Sequence, residues 1–322
     1  MSSPSAAART SSTTARWHTH RLNTPLSWRL IFGITPSLPR FAVRALGYAV
    51  SALCFLVMAR ERGAVLRNLE RVTGVTGPAL WWRAYRVFVS FSRFMVAYAS
   101  LRRFGPAWLW DQLDGEKDAR AVVHRALEKG HGAILLTMHI GQWDMGLSLL
   151  GHLGVPVHVV MRPDEPLEVS RLASEARGHP GLRVHHVGAS PLLGVELMAA
   201  LVRGEIVAVQ GDRAAGADVH PTPLFGLPAP LPTGPVRLAL ATGAPIVPVF
   251  TLLAPGDRFR LIALPPLELP RQRGEGLDAA LREAMPRLAG IMESVIASHS
   301  DQWFNFYDVW PRDDAEPTEE SE

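Results

Sequence analysis

One segment constrains the fold of this chain more than any other, the run AILLTMHIGQWDMGLSLLGHLG at residues 133–154. It begins with an apolar run, 133–138, that is typical of a buried strand, and an apolar helical pattern starts within four residues of His139. Short β-rich runs at 155–161, 206–210 and 245–251 likewise alternate with amphipathic helical stretches. This alternation predicts an α/β fold with a central β-sheet flanked by helices.

The rest of the chain divides into regions around this pattern. A further apolar run at 258–264 predicts an edge strand, and a last helix is predicted from Leu277 to His299. A chain of 322 residues that is 48% hydrophobic can form one sizeable core. We predict a single main domain, with four regions along the chain: a flexible N-terminal extension at 1–39, a membrane-associated helical region at 40–104, the α/β core at 105–312 and an acidic disordered tail at 313–322.

The membrane prediction starts from the uncharged run ALGYAVSALCFLVMA at 45–59, which has arginines on both sides. It is shorter than the roughly 20 residues that span a bilayer comfortably. Two interpretations stay open, a buried core helix and an interfacial or marginally spanning anchor. Residues 61–104 are predicted to continue as helix with arginines among aromatic residues, which suits either a lipid-water boundary or an ordinary amphipathic helix.

The net charge of the chain also favours a membrane surface as partner. The net charge is +3, but six acidic residues and no Lys or Arg lie within 313–322, so residues 1–312 carry +9. Such a body is attracted to anionic lipid or to nucleic acid. The arginines are scattered through apolar segments, without a zinc-finger spacing or a basic helix followed by heptads. We therefore expect an anionic membrane surface as partner and no nucleic acid.

Several other classes of chemistry have little support in the sequence. The single cysteine, Cys54, lies in an apolar run and cannot form an intramolecular disulfide. The histidines lack the H-E-x-x-H spacing of a zinc site, so no metal is expected. Ser148 and Ser190 lack the final glycine of a nucleophile elbow, and neither a P-loop nor a dinucleotide-binding glycine pattern is present.

The chemistry is predicted from His139 and Asp144, which lie five positions apart. Positions with this spacing do not share a face of an uninterrupted helix, so the two side chains converge only across a bend, which Gly141 supplies. We predict that they lie within hydrogen-bonding reach. A His held by a carboxylate can deprotonate an alcohol that attacks an acyl thioester directly, and backbone N–H groups at the helix start can stabilise the oxyanion. The alternative is a buried structural histidine with an acid at a helix N-terminus.

Several ordered motifs resemble those of the late acyltransferases of lipid A biosynthesis and of the phosphatidylinositol mannoside acyltransferases. The resemblance covers roughly residues 40–311. The motifs that carry it are RGAVLRNLERV (62–72), ILLTMHIGQWDMG (134–146), VVMRP (159–163), GEIVAVQGDR (204–213), LFGLPAPLPTGPVRLALATGAPIVPVF (224–250) and HSDQWFNFYDVWP (299–311).

The resemblance implies an acyltransferase in which His139 is the general base and Asp144 its orienting acid. Many lipid A enzymes of the family have Glu at the acid position, whereas this chain has Asp, as glycerolipid and mannoside acyltransferases do. Lipid A itself is therefore in doubt as the acceptor.

The same resemblance implies that Arg162 and Asp212 line the substrate cleft. Arg213 and Gln142 are further candidates for substrate binding. Arg162 and Arg213 can hold phosphate, because a guanidinium group matches phosphate oxygens, or they can form a structural salt bridge to Asp212.

The expected reaction transfers a fatty acyl group from a thioester to a hydroxyl of a membrane glycolipid or phospholipid. The thioester is carried by acyl carrier protein or coenzyme A as co-substrate, and no cofactor is expected. We expect the protein at the cytoplasmic face of a bacterial inner membrane, held peripherally or by a single anchor. The alternative is a non-catalytic lipid-binding protein that keeps the acyltransferase fold.

Overall fold

The computed structural model of the chain describes residue 33 and residues 38–162, 181–213, 218–272 and 274–310. Most of the predicted extension 1–39 and all of the predicted acidic tail 313–322 lie outside the described residues.

A seven-stranded sheet lies at the centre of the described structure. Its strands are β1 (Leu113–Asp114), β2 (Ala133–Thr137), β3 (Val157–Met161), β4 (Leu182–His186), β5 (Ile206–Gln210), β8 (Ile246–Leu253) and β9 (Phe259–Ala263). Their order across the sheet is β1-β9-β8-β2-β5-β3-β4. Neighbouring strands are parallel except β8 and β9, which confirms the predicted α/β class.

Helices cover both faces of the sheet, because successive residues of each strand point to opposite faces and both faces are apolar. The helices are α1 (Arg40–Val57), α2 (Ala59–Thr73), α3 (Gly77–Phe104), α4 (Pro106–Gln112), α5 (Glu116–Leu127), α6 (Trp143–Leu150), α7 (Leu193–Val202), α8 (Gly234–Thr242) and α9 (Leu277–Ser298). In β2, Ile134 and Leu136 pack with α7, α8 and α9, whereas Ala133 and Leu135 pack with α5.

Two strands form a separate antiparallel hairpin, β6 (Val219–Leu224) and β7 (Leu227–Pro232). Phe225, at its turn, has a φ of 48°, and its N–H donates to the Glu293 carboxylate of α9. The hairpin thus packs against α9, apart from the central sheet.

The predicted strands and last helix agree with the structure to within two residues, with one difference of position. The predicted edge strand, β9, has the two-residue strand β1 outside it. The predicted continuous helix over 61–104 is wrong: α2 ends at Thr73, where Gly74 takes a left-handed conformation with a φ of 65°. A new helix, α3, then begins at Gly77 with Pro78 in its first turn.

Helix α1 packs against α3 and leaves a largely apolar outer face. Ser51 is buried on the inner side, where its hydroxyl donates to the Phe88 carbonyl oxygen at 3.2 Å. Within the described ranges, no single helix has both the length and the hydropathy needed to cross a bilayer; Phe41–Val57 and Ala59–Thr73 meet that requirement only as a pair bent by 94°. The exposed apolar side chains of α1 are Phe41, Leu46, Tyr48, Val50, Leu53, Leu56 and Val57.

Candidate active site

The site lies where two neighbouring parallel strands end. Strands β2 and β5 are in register, with Thr137 opposite Gln210. His139 follows the first strand by two residues, and Asp212 follows the second by two. Because parallel strands bring their carboxyl ends to the same edge of a sheet, this register places the two side chains together.

Three hydrogen bonds join His139 to Asp212. The His139 Nδ1 atom lies 2.8 Å from Asp212 Oδ1, and the His139 backbone N–H donates to both carboxylate oxygens at 3.1 Å. Asp212 is buried and the imidazole is nearly so. Since an ionised carboxylate only accepts, Nδ1 carries the proton and Nε2 has the lone pair. The imidazole is therefore held in the tautomer that can act as a base through Nε2.

The bend predicted at Gly141 is present. Gly141 has a φ of 61°, and a Cβ atom there would lie 2.3 Å from the Thr251 carbonyl oxygen of β8. The next residue, Gln142, donates its N–H to the same oxygen at 2.6 Å, and α6 begins one residue later. Only glycine fits this turn, because both the left-handed φ and the approach to β8 exclude a side chain.

Asp144 lies in the first turn of α6, as predicted, and is buried. Its negative charge raises the pKa of His139, so the two groups interact electrostatically. Asp212 was predicted to line the cleft. In the structure its carboxylate is hydrogen-bonded to Nδ1 of the His139 ring.

A segment near the C-terminus of the described chain completes the surroundings of Asp212. We call residues 302–310 the strap. Trp303 Nε1 and Asn305 Nδ2 each lie 3.4 Å from Asp212 Oδ2, and the Phe304 N–H donates to the His139 carbonyl oxygen at 2.9 Å. These contacts were not foreseen, because nothing in the local sequence indicates that the strap crosses the ends of β2 and β5.

Arg213 binds the strap. Its Nε donates to Asn305 Oδ1 at 2.9 Å and its Nη2 to the Phe304 carbonyl oxygen at 2.7 Å, and its guanidinium carbon lies 5.6 Å from the centre of the Tyr307 ring. Arg213 thus helps to position the strap, a role that differs from the substrate contact expected for it.

Asn68 of α2 holds the strap from the other side. Its Nδ2 donates to the carbonyl oxygens of Asn305 at 3.1 Å and Tyr307 at 2.8 Å, and its Oδ1 accepts from the Val309 N–H at 3.3 Å. Two separate motifs, 62–72 and 299–311, therefore meet at this point. Since each bond uses strap backbone, Asn68 fixes the path of the strap across the site.

Burial and neighbouring charges shift the ionisation of the site. Burial, together with the positive charge of Arg213, lowers the pKa of His139, although Asp212 and Asp144 oppose this effect. Burial raises the pKa of Asp212, but the charge and hydrogen bonds of His139 outweigh it, and the pKa is lowered overall. At neutral pH the site therefore holds a neutral imidazole on an ionised carboxylate, which is the state that a general base requires.

The other two predicted substrate residues, Arg162 and Gln142, differ in their surroundings. Arg162 follows β3, which neighbours β5, and so lies at the same edge of the sheet as Asp212. Gln142 precedes α6 and is fully buried, and neither polar atom of its side chain has a hydrogen-bond partner within the described structure. A buried amide without partners is costly, so this side chain needs a partner that the described residues do not supply.

An apolar cavity of about 80 Å³ opens next to the site, between α5, α6 and the sheet. Thr137 and Trp143, which are close to His139 in sequence, line one part of it, and Ala119 of α5 lines another. The Trp143 ring lies 5.3 Å from the His139 ring. The cavity is smaller than the roughly 300 Å³ of a typical ligand pocket, so a long chain enters it only if side chains move.

Two further histidines of the described residues form a pair of their own on neighbouring strands. His158 and His185 lie on β3 and β4, where their ring nitrogens are 2.9 Å apart and Glu205 accepts from His158 at 2.7 Å. Within the described ranges, no group of three or more His, Cys, Asp or Glu side chains has a geometry that could hold a metal ion.

Comparison with known proteins shows the family of the chain. Residues 14–312 match the bacterial lipid A biosynthesis acyltransferase family. The chain is 27% identical to the phosphatidylinositol mannoside acyltransferase of Mycobacterium tuberculosis over 282 residues. This alignment covers 86% of this chain and 85% of that protein. It is also 28% identical over 195 residues to the enzyme of that name from Mycolicibacterium smegmatis, covering 58% of this chain and 60% of that protein. This chain belongs to the bacterial lipid A biosynthesis acyltransferase family.

Proposed function

We propose that this acyltransferase moves a fatty acyl group from a thioester to a hydroxyl of a membrane glycolipid, with His139 as the general base. The observation that carries the proposal is the 2.8 Å contact between His139 Nδ1 and Asp212 Oδ1 at the end of two parallel strands. This contact fixes the tautomer, and the depressed pKa of His139 keeps the ring unprotonated at neutral pH.

The reaction then needs no acyl-enzyme. The acceptor hydroxyl gives its proton to His139 Nε2 as its oxygen attacks the thioester carbonyl and forms the new C–O bond. The tetrahedral intermediate collapses with cleavage of the C–S bond. The departing sulfur takes the proton back from Nε2, which restores the neutral imidazole.

We assign the orienting bond to Asp212 and an electrostatic role to Asp144. The Asp212 carboxylate contacts both the ring and the backbone of His139, whereas the buried charge of Asp144 stabilises the imidazolium that forms during proton transfer. The unpartnered amide of Gln142 is well placed to hydrogen-bond the substrate at this step.

The 80 Å³ cavity is the proposed site of the acyl chain, because its lining is almost entirely apolar and it begins beside Thr137 and Trp143. Arg162, at the same sheet edge, is the proposed contact for phosphate on the acceptor or on the carrier. The donor is an acyl thioester of acyl carrier protein or coenzyme A.

The acceptor is proposed to be a mannosylated or similar glycolipid. The two relatives named phosphatidylinositol mannoside acyltransferase support this class, as does the aspartate at position 144. We place the enzyme at the cytoplasmic face of a bacterial inner membrane, attached by the exposed apolar side chains of α1.

The experiment compares wild type, His139→Ala and the control His124→Ala, an exposed histidine of α5, in transfer of a radiolabelled acyl chain from its thioester to bacterial lipid extract. We expect His139→Ala to lose nearly all activity and the control to keep it. For wild type, kcat/KM should fall on the acid side because protonation of His139 removes the base, and this fall should lie at lower pH than for an ordinary histidine, because burial lowers the pKa of His139.

Equal transfer by wild type and His139→Ala would refute the role of His139. Retention of lipid without product by the wild type would favour the non-catalytic lipid-binding function instead.

A further inference from the structure

A second, larger cavity lies away from His139, between α1, α3 and the turn that joins β8 to β9. Its volume is about 500 Å³, which is within the range of pockets that hold small ligands. No described residue lines both this cavity and the one beside His139. Most of its lining is apolar or small, and includes Val43, Gly47, Val96, Ala97, Phe104 and Trp108.

Three charged side chains lie together in the wall of this cavity. Arg44 Nε donates to Asp257 Oδ2 at 2.8 Å, and Arg93 Nη2 donates to Asp257 Oδ1 at 2.8 Å. Asp257 is held at the turn with a φ of 61°, which is rare for a residue with a side chain. Two guanidinium groups share one carboxylate, so the cluster has a net charge of +1.

Some N–H groups of Arg44 and Arg93 do not contact Asp257. A guanidinium group has five N–H donors, and Asp257 occupies two on Arg44 and one on Arg93. Both arginines are partly exposed, so their other N–H groups can reach a ligand at the mouth of the cavity. Phosphate oxygens match the geometry of such guanidinium forks, as carboxylate oxygens do.

The surface around the cavity indicates where that phosphate comes from. The outer face of α1 carries exposed apolar side chains, among them Phe41, Leu53 and Leu56, which are 76%, 60% and 70% exposed. Arg44 and Gly47 of the same helix line the cavity. A ligand that combines an apolar chain with a phosphate can therefore pass from a bilayer in contact with α1 into the cavity.

We propose that this cavity binds one acyl chain of an anionic glycerophospholipid of the membrane, with the lipid phosphate on Arg44 and Arg93. The inference rests on the proposed contact of α1 with the membrane, and it does not depend on acyl transfer. An anionic lipid is favoured over a zwitterionic one because the cluster is positive overall, and over free phosphate because the cavity is mostly apolar.

The test uses the full chain with phosphatidylcholine vesicles that contain phosphatidylglycerol bearing a diazirine in one acyl chain. After illumination, mass spectrometry locates the cross-linked residues. We expect labelling of α1 and α3 at the cavity, near Gly47, Val96 and Ser100. Unlabelled phosphatidylglycerol should compete about ten times better than phosphatidylcholine, and inorganic phosphate should not compete.

Two variants and one control complete the test. Arg93→Gln should reduce labelling about tenfold, the effect of losing one charged hydrogen bond. Ser100→Leu, which fills the cavity, should also reduce it. Arg83→Gln removes the same charge from an exposed position of α3 that does not line the cavity, and should label as wild type does. Thermal melting of each variant checks that it is folded.

Absence of cross-links at the cavity in the wild type would overturn the proposal. Equal labelling of the Arg93 and Arg83 variants, or equal competition by the two lipids, would overturn it as well. His139→Ala should label as wild type does, so failure of acyl transfer and failure of this lipid site are separable.

Discussion

At the residue scale, His139 interacts with two carboxylates, those of Asp212 and Asp144. Asp212 accepts hydrogen bonds from its ring and its backbone, whereas Asp144 raises its pKa through its charge. A hydrogen bond fixes a tautomer and an orientation; a charge changes only the energy of the protonated form. The two acids should therefore have separable effects on catalysis.

Replacing each acid by its amide separates these effects. Asp212→Asn should lower kcat by about 10²- to 10⁴-fold, because the amide permits the wrong tautomer. Asp144→Asn should cost about tenfold and move the acid limb of the pH–rate profile to lower pH, since loss of its charge lowers the pKa of His139 further. The steady-state kinetics of both variants are measured from about pH 4 to about pH 9, a range centred on the reference pKa of histidine. A larger loss for Asp144→Asn than for Asp212→Asn would contradict the assignment.

Gln142 offers a different kind of test, because its buried amide has no protein partner in the described structure. Replacement by Met keeps the length of the side chain and removes two desolvated polar groups, which should raise the unfolding free energy by about 1–3 kcal/mol. If the amide binds substrate, kcat/KM should fall at least about tenfold in the same variant. Thermal unfolding and kinetics are measured together. Lower stability with unchanged kcat/KM would rule out this role.

At the element scale, the turn between β2 and α6 depends on Gly141. Gly141→Ala adds a Cβ atom 2.3 Å from the Thr251 carbonyl oxygen, so the turn must move and displace His139. The matched control is Gly154→Ala, which follows the same helix at a φ of 79° with nothing within 4 Å of its Cβ position. The control should lose about 1–2 kcal/mol of stability from backbone strain and stay active.

Gly141→Ala should lose more stability than the control and most of the activity. Chemical denaturation and the acyl transfer assay measure the two quantities. Equal effects in both variants would show that the contact with β8 has no consequence for the site.

Helix α5 bears on chain length through Ala119, which is buried and lines the cavity beside His139. Ala119→Leu should fill part of this cavity and shift the preferred donor to shorter acyl chains. Ala121→Leu, on the exposed side of the same helix, is the control and should leave the preference unchanged. Competition between thioesters of different chain length measures this; an unchanged preference in Ala119→Leu would place the acyl chain elsewhere.

Local pattern was sufficient to predict the strands that carry the site, but not how they are arranged. The apolar runs of β2 and β5 were visible, and so was the bend at Gly141, because hydrophobic periodicity and glycine act locally. The contact between His139 and Asp212 depends on which strands are neighbours and on their register, which no local run of residues encodes. The sequence does contain one indication of the site: His139 follows β2 by two residues, and Asp212 follows β5 by two residues.

The hairpin of β6 and β7 was missed for another reason. Prolines occupy both strands, and proline argues against a central strand because it lacks the N–H that a ladder requires. Among the described residues the two strands pair only with each other, so the missing donors do not interrupt a larger sheet.

At the scale of the whole molecule, the exposed apolar face of α1 should determine attachment to lipid. Leu53→Ser with Leu56→Ser removes two exposed leucines and should weaken binding to vesicles at least about tenfold, since each buried leucine contributes about 1.5–3 kcal/mol. The control, Val195→Ser with Val202→Ser, removes two exposed valines from α7. Vesicle flotation measures the bound fraction, and equal loss in both double variants would contradict attachment through α1.

The strap is the described part of the site that comes last in the sequence. Asp212 receives hydrogen bonds from Trp303 and Asn305, and Arg213 from the same loop is anchored on Phe304 and Asn305. A nascent chain that has reached residue 300 already contains every strand of the sheet and every proposed acid and base, yet it lacks the segment that encloses them. A chain that stops at residue 300 would therefore keep the sheet and leave its centre open, so these few residues separate a nearly complete fold from a complete site.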